Sequence, residues 1–135
     1  MEFTLSNCFV LVDDPDAALA FYRDTLGLTV RNDVARGEFR WITVGAAAQP
    51  AVSIVITNYL NGSGDDSDAL AALLAKGALP GVHFHANDLD AAFAKVSASG
   101  AEIVQEPIEQ PWGTRDFAVR DPSGNLVRVD QPPAG

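Results

Sequence analysis

The sequence contains an internal repeat, and this feature constrains the fold more than any other. Residues 14–20 (DPDAALA) reappear in similar form as residues 88–94 (DLDAAFA). An apolar run with strand-like character precedes each copy, at residues 7–12 and 81–86. Repeated segments of this kind are copies of one supersecondary unit, and a single unit rarely buries its apolar face alone. The chain is therefore predicted to fold as two related modules.

Both repeats carry the start and stop signals of a helix. Asp14 is a predicted N-cap in the first copy, and Asn87 or Asp88 in the second, because short polar side chains accept hydrogen bonds from the free N–H groups of a first turn. Gly27 and Gly100 follow the helical stretches, where glycine tolerates the left-handed conformation that ends helices. Each module is thus predicted to hold one helix after its first strand.

Further strands are predicted after each helix from apolar alternation and turn residues. They cover residues 29–34, 38–44 and 51–57 in the first half, and residues 101–106, 114–119 and 126–131 in the second. The order in each half is therefore β-α-β-β-β, an α+β arrangement. One domain is predicted over residues 1–135, with module 1 at about 1–57, a linker at 58–80 that holds a short helix (67–76), and module 2 at about 81–135.

The charge balance excludes several classes of partner. Nine Lys and Arg residues against eighteen Asp and Glu residues give a formal net charge of −9 in 135 residues. An acidic surface repels phosphate backbones and anionic lipid, so neither nucleic acid nor a membrane is a predicted partner. No apolar run approaches the ~20 residues of a membrane span, and no signal peptide is expected. With one cysteine, Cys8, the chain is predicted to be a cytoplasmic protein of bacterial type.

Three segments resemble a known family. They are residues 18–27 (ALAFYRDTLG), residues 121–125 (DPSGN), and residues 110–113 (QPWG) followed by Arg115 and Phe117. The chain resembles the vicinal oxygen chelate superfamily of glyoxalases, extradiol dioxygenases and bleomycin-resistance proteins, and most closely its bleomycin-resistance-like and unclassified glyoxalase-like branch. The resemblance implies two βαβββ modules that form a curved mixed β-sheet cup with helices on the outer face. It also implies a homodimer and a small-molecule ligand, on a scaffold that supports many chemistries.

Strand alternation predicts which side chains line the cup. Alternate residues of a strand point to opposite faces, and the uniformly apolar faces are expected to lie under the helices. Cys8 falls on such a face and is predicted to be a buried small hydrophobe. The opposite, mixed faces are predicted to line the cup, and they carry Asn7, Phe9, Leu11, Ala51, Ser53, Val55, Gly81, His83, His85, Leu126, Arg128 and Asp130.

The resemblance also implies four positions at which enzymes of the family hold a divalent metal. In this chain they correspond to Asn7, Ser53, Gly81 and Arg128. Asparagine and serine are weak neutral ligands, glycine has no side chain, and a guanidinium is a permanent cation that cannot coordinate a metal. Neither a metal nor another cofactor is therefore predicted at these positions.

His83 and His85 leave a metal open as an alternative. Their i, i+2 spacing points both imidazoles to one side of a strand, where they would chelate a divalent metal together with Asp130 or Glu109. The other interpretation is that both histidines form hydrogen bonds in a polar cup, contact the ligand or move a proton, since histidine titrates near neutral pH.

Aromatic side chains are further candidates for the site. Phe9, Phe39, Trp41, Trp112 and Phe117 would stack against a flat ligand, although the alternate spacing of Trp41 and Phe117 also fits a place in the core. Trp112 is the stronger candidate because it lies in a Pro-Trp-Gly loop rather than within a strand.

Two arginines are predicted to hold an anionic or carbonyl group of the ligand, namely Arg115 and Arg128. For Arg128 a second role remains open. It would then form an internal ion pair with Asp130, Glu109 or another carboxylate of the cup.

Metal-independent binding of a small molecule, a drug or a metabolite, is the function that these residues favour. The alternative is a metal-dependent lyase, isomerase or dioxygenase in which His83 or His85 holds the metal. A third hypothesis is a metal-free enzyme with one of these histidines as general base and Arg128 as electrostatic stabiliser. The predicted ligand-binding residues are Asn7, Phe9, Trp41, Ser53, His83, His85, Trp112, Arg115 and Arg128.

Overall fold

The computed structural model describes residues 1–60 and 62–132 and divides into two compact units, Met1–Ala71 and Ala72–Gly135. Residue 61, inside the predicted linker, and residues 133–135, at the end of predicted module 2, lie outside the described residues. Both units contain the predicted β-α-β-β-β order, so the α+β class is confirmed. A further helix, α2, covers Gly64–Ala75, so the predicted linker helix (67–76) is present and begins three residues earlier. The boundary between the two units falls within this helix.

The first unit holds a four-stranded sheet in the order β1-β4-β3-β2. β1 and β4 are parallel, whereas the other two pairs are antiparallel. In the parallel pair Asn7 lies opposite Ser53. The elements are β1 (Asn7–Leu11), α1 (Pro15–Leu19) with a π-helical continuation (Ala20–Thr25), β2 (Thr29–Arg36), β3 (Phe39–Gly45) and β4 (Ser53–Thr57).

The second unit repeats this topology with a sheet in the order β5-β8-β7-β6. β5 and β8 are parallel, and His83 lies opposite Arg128. The pairing shifts by one residue between Pro80 and His83, which marks a bulge in β5. The elements are β5 (Pro80–His85), α3 (Leu89–Ala98), β6 (Ile103–Glu109), β7 (Arg115–Arg120) and β8 (Leu126–Gln131).

The repeated helix signals act as the sequence predicts. The carboxylate of Asp14 accepts a hydrogen bond from the Ala17 N–H at 3.1 Å, and Asp88, rather than Asn87, makes the equivalent bond with Ala91. Gly27 and Gly100 follow the helices with φ of 80° and 83°, a conformation that a side chain would strain. Both predicted caps and both predicted stops are therefore confirmed.

The π-helical stretch changes which residues of the first helix reach the core. Ordinary helical spacing predicts an apolar face of Leu19, Tyr22 and Leu26. In the structure the Leu26 N–H bonds to the Phe21 carbonyl five residues back, and this wider turn brings both Phe21 and Tyr22 inward. Both side chains are buried, and their rings meet edge to face with centroids 4.9 Å apart.

Each unit buries the apolar face on which its helix packs. In the first unit α1 packs against β4, and in the second unit α3 packs against β6, β7 and β8. Cys8 departs from the prediction because its side chain is exposed. It lies near the start of β1, an edge strand, whereas α1 covers β4. The buried residues of this face include Val10, Ile42, Val44 and Ile56 in the first unit and Phe117, Val119, Val127 and Val129 in the second.

The turn between β7 and β8 is organised by one buried carboxylate. Asp121 Oδ1 accepts hydrogen bonds from the backbone N–H groups of Ser123, Gly124 and Asn125 at 2.9–3.0 Å. Its Oδ2 accepts a further bond from the Asn125 side chain at 3.0 Å. The tight turn predicted from the Asp-Pro-Ser-Gly-Asn sequence is therefore confirmed. None of the helices within residues 1–60 and 62–132 is long and apolar enough to span a membrane.

Candidate functional site

The helix-free face of the first sheet carries a group of exposed aromatic side chains. Phe9 on β1 and Trp41 on β3 meet edge to face with ring centroids 5.2 Å apart. Phe39, two residues before Trp41, makes the same kind of contact with Tyr59 at 5.5 Å. Strand alternation puts Phe39 and Trp41 on one face, and the β1-β4-β3 pairing puts Phe9 there as well. The sequence predicted these residues except Tyr59.

A cavity of about 390 Å³ lies over this face, within the first unit. Its volume falls in the range that small-molecule sites occupy, about 300–1,000 Å³. Phe39, Trp41 and Tyr59 form its aromatic wall. The remaining lining residues are Asn32, Val34, Arg36, Arg40 and Thr57. We call this cavity the aromatic pocket.

The two arginines of the aromatic pocket differ in their partners. The Arg40 guanidinium donates to Asp33 at 2.8 and 3.0 Å and to Asp16 at 2.9 Å. The hydrogen bonds to Asp33 and Asp16 raise the pKa of Arg40 further, so it stays charged and its charge is balanced. Within the described residues the side chain of Arg36 makes no hydrogen bond and no ion pair. Arg36 therefore brings an unbalanced positive charge to the wall of the pocket.

The guanidinium of Arg31, a residue of β2 that was not predicted from the sequence, contacts the start of β4. Arg31 Nη1 donates to the Ser53 hydroxyl and to the Val52 carbonyl, both at 2.7 Å. Its Nη2 donates to two further backbone carbonyls at 2.9 Å, those of Ala46 and Gln49. A side chain at Gly45 would collide with this guanidinium, so a larger residue there would displace Arg31. The predicted ligand residue Ser53 is thus already engaged by Arg31.

The helix-free face of the second sheet is polar rather than aromatic. Asp130 on β8 lies between two imidazoles of β5. Its Oδ2 is 2.9 Å from His83 Nε2, and its Oδ1 is hydrogen-bonded to His85 Nδ1. An ionised carboxylate accepts only, so the ring nitrogen that faces it carries the proton in each histidine. The predicted hydrogen-bonding role of the two histidines in a polar surface is observed here, with Asp130 as the shared partner.

Next to the His83–Asp130–His85 contacts, Arg128 forms an ion pair with a buried carboxylate on β7. Arg128 Nη1 lies 3.3 Å from Asp116 Oδ2 and donates to Gln105 Oε1 at 3.3 Å. Gln105 and Gln110 each donate a side-chain N–H to Asp116 Oδ1 at 2.8 Å. The structure therefore shows the internal ion pair considered for Arg128, and the partner is Asp116. Neither Asp116 nor the two glutamines were predicted.

The ionisation of Asp116 follows from this network. Burial raises the pKa of its carboxyl group, because a charge loses solvation in the interior. The hydrogen bonds from Gln110 and Gln105 and the charge of Arg128 act in the opposite direction and outweigh burial. The pKa of Asp116 consequently lies below its usual range, and the group is a carboxylate near neutral pH.

The four positions that the family resemblance implies for a metal do not fit a divalent ion. Ser53 accepts from Arg31, and Arg128 is itself a cation held by Asp116. A side chain at Gly81 would collide with the backbone carbonyl of Leu126, so no ligand is possible there in this backbone. Within residues 1–60 and 62–132, no three His, Cys, Asp or Glu side chains are grouped to hold a metal ion.

The sheet register places Gly81 at the bulge in β5. Counted back from the helix cap, Gly81 matches Asn7 of the first unit. Asn7 pairs with Ser53 in the first sheet, and His83 pairs with Arg128 in the second. The residue opposite Arg128 is therefore His83 and not Gly81.

Three other predicted residues lie away from these two faces. Arg115 is ion-paired with Asp90 of α3 at 3.1 Å, on the side of the sheet where the helix packs. Phe117 is buried on that side, with its ring centroid 5.3 Å from that of Phe93, in agreement with its alternative place in the core. Trp112 lies in the turn between β6 and β7 and is 72% exposed.

Comparisons with known proteins agree with this architecture. The family model described as the Glyoxalase/Bleomycin resistance protein/Dioxygenase superfamily matches residues 4–129. The crystal structure of UcmS2 has a TM-score of 0.84 at 33% identity and covers 96% of this chain and 98% of that one. TnmS3, an antibiotic binding protein from Streptomyces sp. CB03234, has a TM-score of 0.75 at 24% identity and 98% coverage of both chains.

Two curated proteins are also similar in sequence. YurT of Bacillus subtilis is 29% identical over 97% of this chain and 99% of its own. CFP32 of Mycobacterium bovis, named provisionally as a glyoxylase, is 30% identical over 91% of this chain, which spans only 42% of that protein's length. The paired βαβββ units and the family match together define the class. The chain belongs to the glyoxalase/bleomycin resistance protein/dioxygenase superfamily.

Proposed function

We propose that this protein binds small, flat, aromatic organic molecules without a metal ion, as a drug- or metabolite-binding member of its superfamily. The aromatic pocket is the observation that carries the proposal. It combines a volume of about 390 Å³ with Phe39, Trp41 and Tyr59 on its wall. Aromatic rings stack well against flat ligands and bury large apolar areas. TnmS3, which shares the fold, is an antibiotic binding protein.

Metal independence is supported by the chemistry of the implied ligand positions. A cation at Arg128 and a glycine with no room for a side chain at Gly81 are poor substitutes for imidazole and carboxylate ligands. Ligand sequestration requires a shaped pocket and a few oriented polar groups, and neither needs a metal.

We also propose that the protein acts as a cytoplasmic homodimer. Among the described strands, β1 and β2 are the edges of the first sheet and β5 and β6 the edges of the second. Unpaired edges offer free N–H and C=O groups to a partner. Light scattering coupled to size-exclusion chromatography measures the mass directly, and a strictly monomeric mass at micromolar concentration would contradict the dimer.

A second candidate function rests on the histidine–aspartate contacts of the second unit. His83 is hydrogen-bonded to Asp130 and lies opposite Arg128. In such an arrangement the histidine can act as a general base and the arginine as an electrostatic stabiliser. If the protein is such a metal-free acid–base catalyst, His83→Ala is expected to abolish the turnover of its substrate. Ligand binding in the aromatic pocket predicts affinity that His83→Ala leaves unchanged.

The two tryptophans of the chain allow a matched test of the pocket. The probe is 9-phenanthrenemethanol, a neutral tricyclic alcohol, titrated by calorimetry. Trp41→Ala removes a wall of the pocket and is expected to weaken binding about tenfold or more, since base-sized stacking contacts contribute about 1–3 kcal/mol. Trp112→Ala removes an exposed side chain outside the pocket and is expected to leave the affinity unchanged. Loss of binding only in Trp112→Ala would place the site at that turn instead.

A further inference from the structure

The charged side chains that line the aromatic pocket are both arginines. No Asp or Glu side chain belongs to its lining, which contains two arginines. Arg40 is balanced by Asp33 and Asp16, both of which lie outside the lining. Arg36 has no such partner among the described residues. Arg36 is therefore the charged group of the lining that remains available to a ligand.

Arg36 stands apart from the other arginines of the chain. Arg31 is saturated by carbonyl and hydroxyl groups, and five others have ion-pair partners. Among the described residues, Arg36 is thus the arginine whose side chain has neither an ion-pair nor a hydrogen-bond partner, and it lies beside an apolar cavity.

We infer that the aromatic pocket selects flat aromatic ligands that carry an anionic group, a carboxylate, sulfonate or phenolate, and that Arg36 determines this selection. The inference rests on the proposed function and names its ligand class. Arg36 lies opposite Phe39 in the β2–β3 hairpin, so its guanidinium and the aromatic wall belong to one surface. A ligand ring packs on the aromatic wall while its acid group meets the guanidinium fork, which matches carboxylate geometry.

The overall charge of −9 opposes this selection at long range but not at contact. Charges more than a Debye length away, about 8 Å at physiological salt, are largely screened. A charge-assisted hydrogen bond beside an apolar wall is screened much less. The local charge of Arg36 therefore decides which ligand is preferred.

Three ligands of one shape test the selection. Phenanthrene-9-carboxylate, 9-phenanthrenemethanol and 9-phenanthrenemethylamine differ in charge and share the ring system. Calorimetry at neutral pH is expected to give an affinity for the carboxylate about tenfold above that for the alcohol, with the amine the weakest. Arg36→Gln is expected to lower the carboxylate affinity about tenfold, to that of the alcohol measured with the same variant.

A matched control uses Arg23, an exposed arginine paired with Asp24 and absent from the pocket lining. Arg23→Gln changes the net charge equally and is expected to keep the carboxylate preference. Equal affinities for carboxylate and alcohol in the wild-type protein would overturn the inference and leave the proposed function intact. A carboxylate preference that survives Arg36→Gln but disappears in Arg128→Ala would overturn it too, by moving the anion site to the second unit.

Failure of the proposed function itself has a different signature. None of the three ligands would then bind the wild-type protein. If the pocket instead received a second copy of the chain, Trp41→Ala would lower the mass measured by light scattering and no ligand would compete with self-association. Either result overturns both the proposed function and the charge selection that rests on it.

Discussion

The guanidinium of Arg128 lies 3.3 Å from the carboxylate of Asp116, and only 3% of the Asp116 side chain is exposed. A buried carboxylate without partners is strongly destabilising, so Arg128 contributes to the integrity of the sheet. Both contacts of Arg128 use Nη1. Its Nε and Nη2 make no hydrogen bond within the described residues, so the internal pair leaves donors of Arg128 available.

Replacement of Asp116 by asparagine is expected to destabilise the protein by about 2 kcal/mol, because the new amide N–H₂ would face the Arg128 guanidinium in a buried site. Urea unfolding at neutral pH measures the change. Asp33→Asn is the matched control, since it also removes an aspartate–arginine pair. The Asp33 side chain is more exposed than that of Asp116, so the loss is expected to stay below about 1 kcal/mol. Equal losses in the two variants would contradict the role given to burial.

The lowered pKa of Asp116 predicts a pH dependence with a definite sign. Because the folded-state pKa lies below the unfolded one, the native state binds this proton less readily than the unfolded state. The stabilisation is present above the unfolded pKa of about 4 and is lost as the pH falls through the folded value. The free energy of unfolding of wild type minus that of Asp116→Asn is therefore expected to shrink on acidification from pH 6 to about 3. A difference that grows in acid would contradict it.

Asp121→Ala is expected to destabilise the second unit by about 3 kcal/mol, because three backbone N–H groups and the Asn125 amide lose their acceptor. Asp14→Ala is the control. Asp14 accepts one capping hydrogen bond from a helix N–H, and loss of this bond is expected to lower the free energy of unfolding by about 1 kcal/mol. Chemical unfolding of both variants gives the comparison. If Asp121→Ala were no worse than Asp14→Ala, the turn would not depend on this carboxylate.

Gly81→Ala is expected to cost about 1–3 kcal/mol of stability, because the added methyl group collides with the Leu126 carbonyl and the β5 bulge must shift. Gly64→Ala, at the first residue of α2, meets no atom within 4 Å and is expected to be neutral or slightly stabilising. Thermal unfolding of the two variants side by side distinguishes a local steric effect from a general intolerance of alanine.

The purified protein is expected to hold far less than one transition-metal ion per chain, and added Zn²⁺ is expected to leave its melting temperature unchanged. A ligand that binds only the native state raises this temperature, so an unchanged value means no specific binding. Elemental analysis together with a thermal shift assay checks both points. A content near one zinc, iron, nickel or manganese per chain that is lost in His83→Ala would overturn metal independence.

Much of the fold could be predicted because its signals are local. The Asp14 and Asp88 caps and the glycines after each helix depend on residues within one or two turns, and the duplication supplies each signal twice. The wider π-helical turn, in which both Phe21 and Tyr22 are buried, could not be predicted, because the cap and the glycine stop around it are those of an ordinary helix.

The polar face of the second sheet was predicted only in part. Alternation along β5 and β8 identified His83 and Arg128, but the partner of Arg128 lies on β7, where Asp116 alternates with the buried Phe117. The same alternation rule applied to β7 would have indicated Asp116. Arg31 carried no such signal, because its role depends on chain segments that are distant in sequence.

The bulge at Gly81 has a consequence for any attempt to build a metal centre into this chain. Copying ligands by their distance from the helix would put the new imidazole at residue 81, where the Leu126 carbonyl leaves no space for it. The native histidine two residues later already occupies the position opposite residue 128. A designer would therefore keep His83 and exchange the residues at 53 and 128. The exchange at 128 would leave the buried Asp116 carboxylate without its arginine, so a new cationic partner would be needed there.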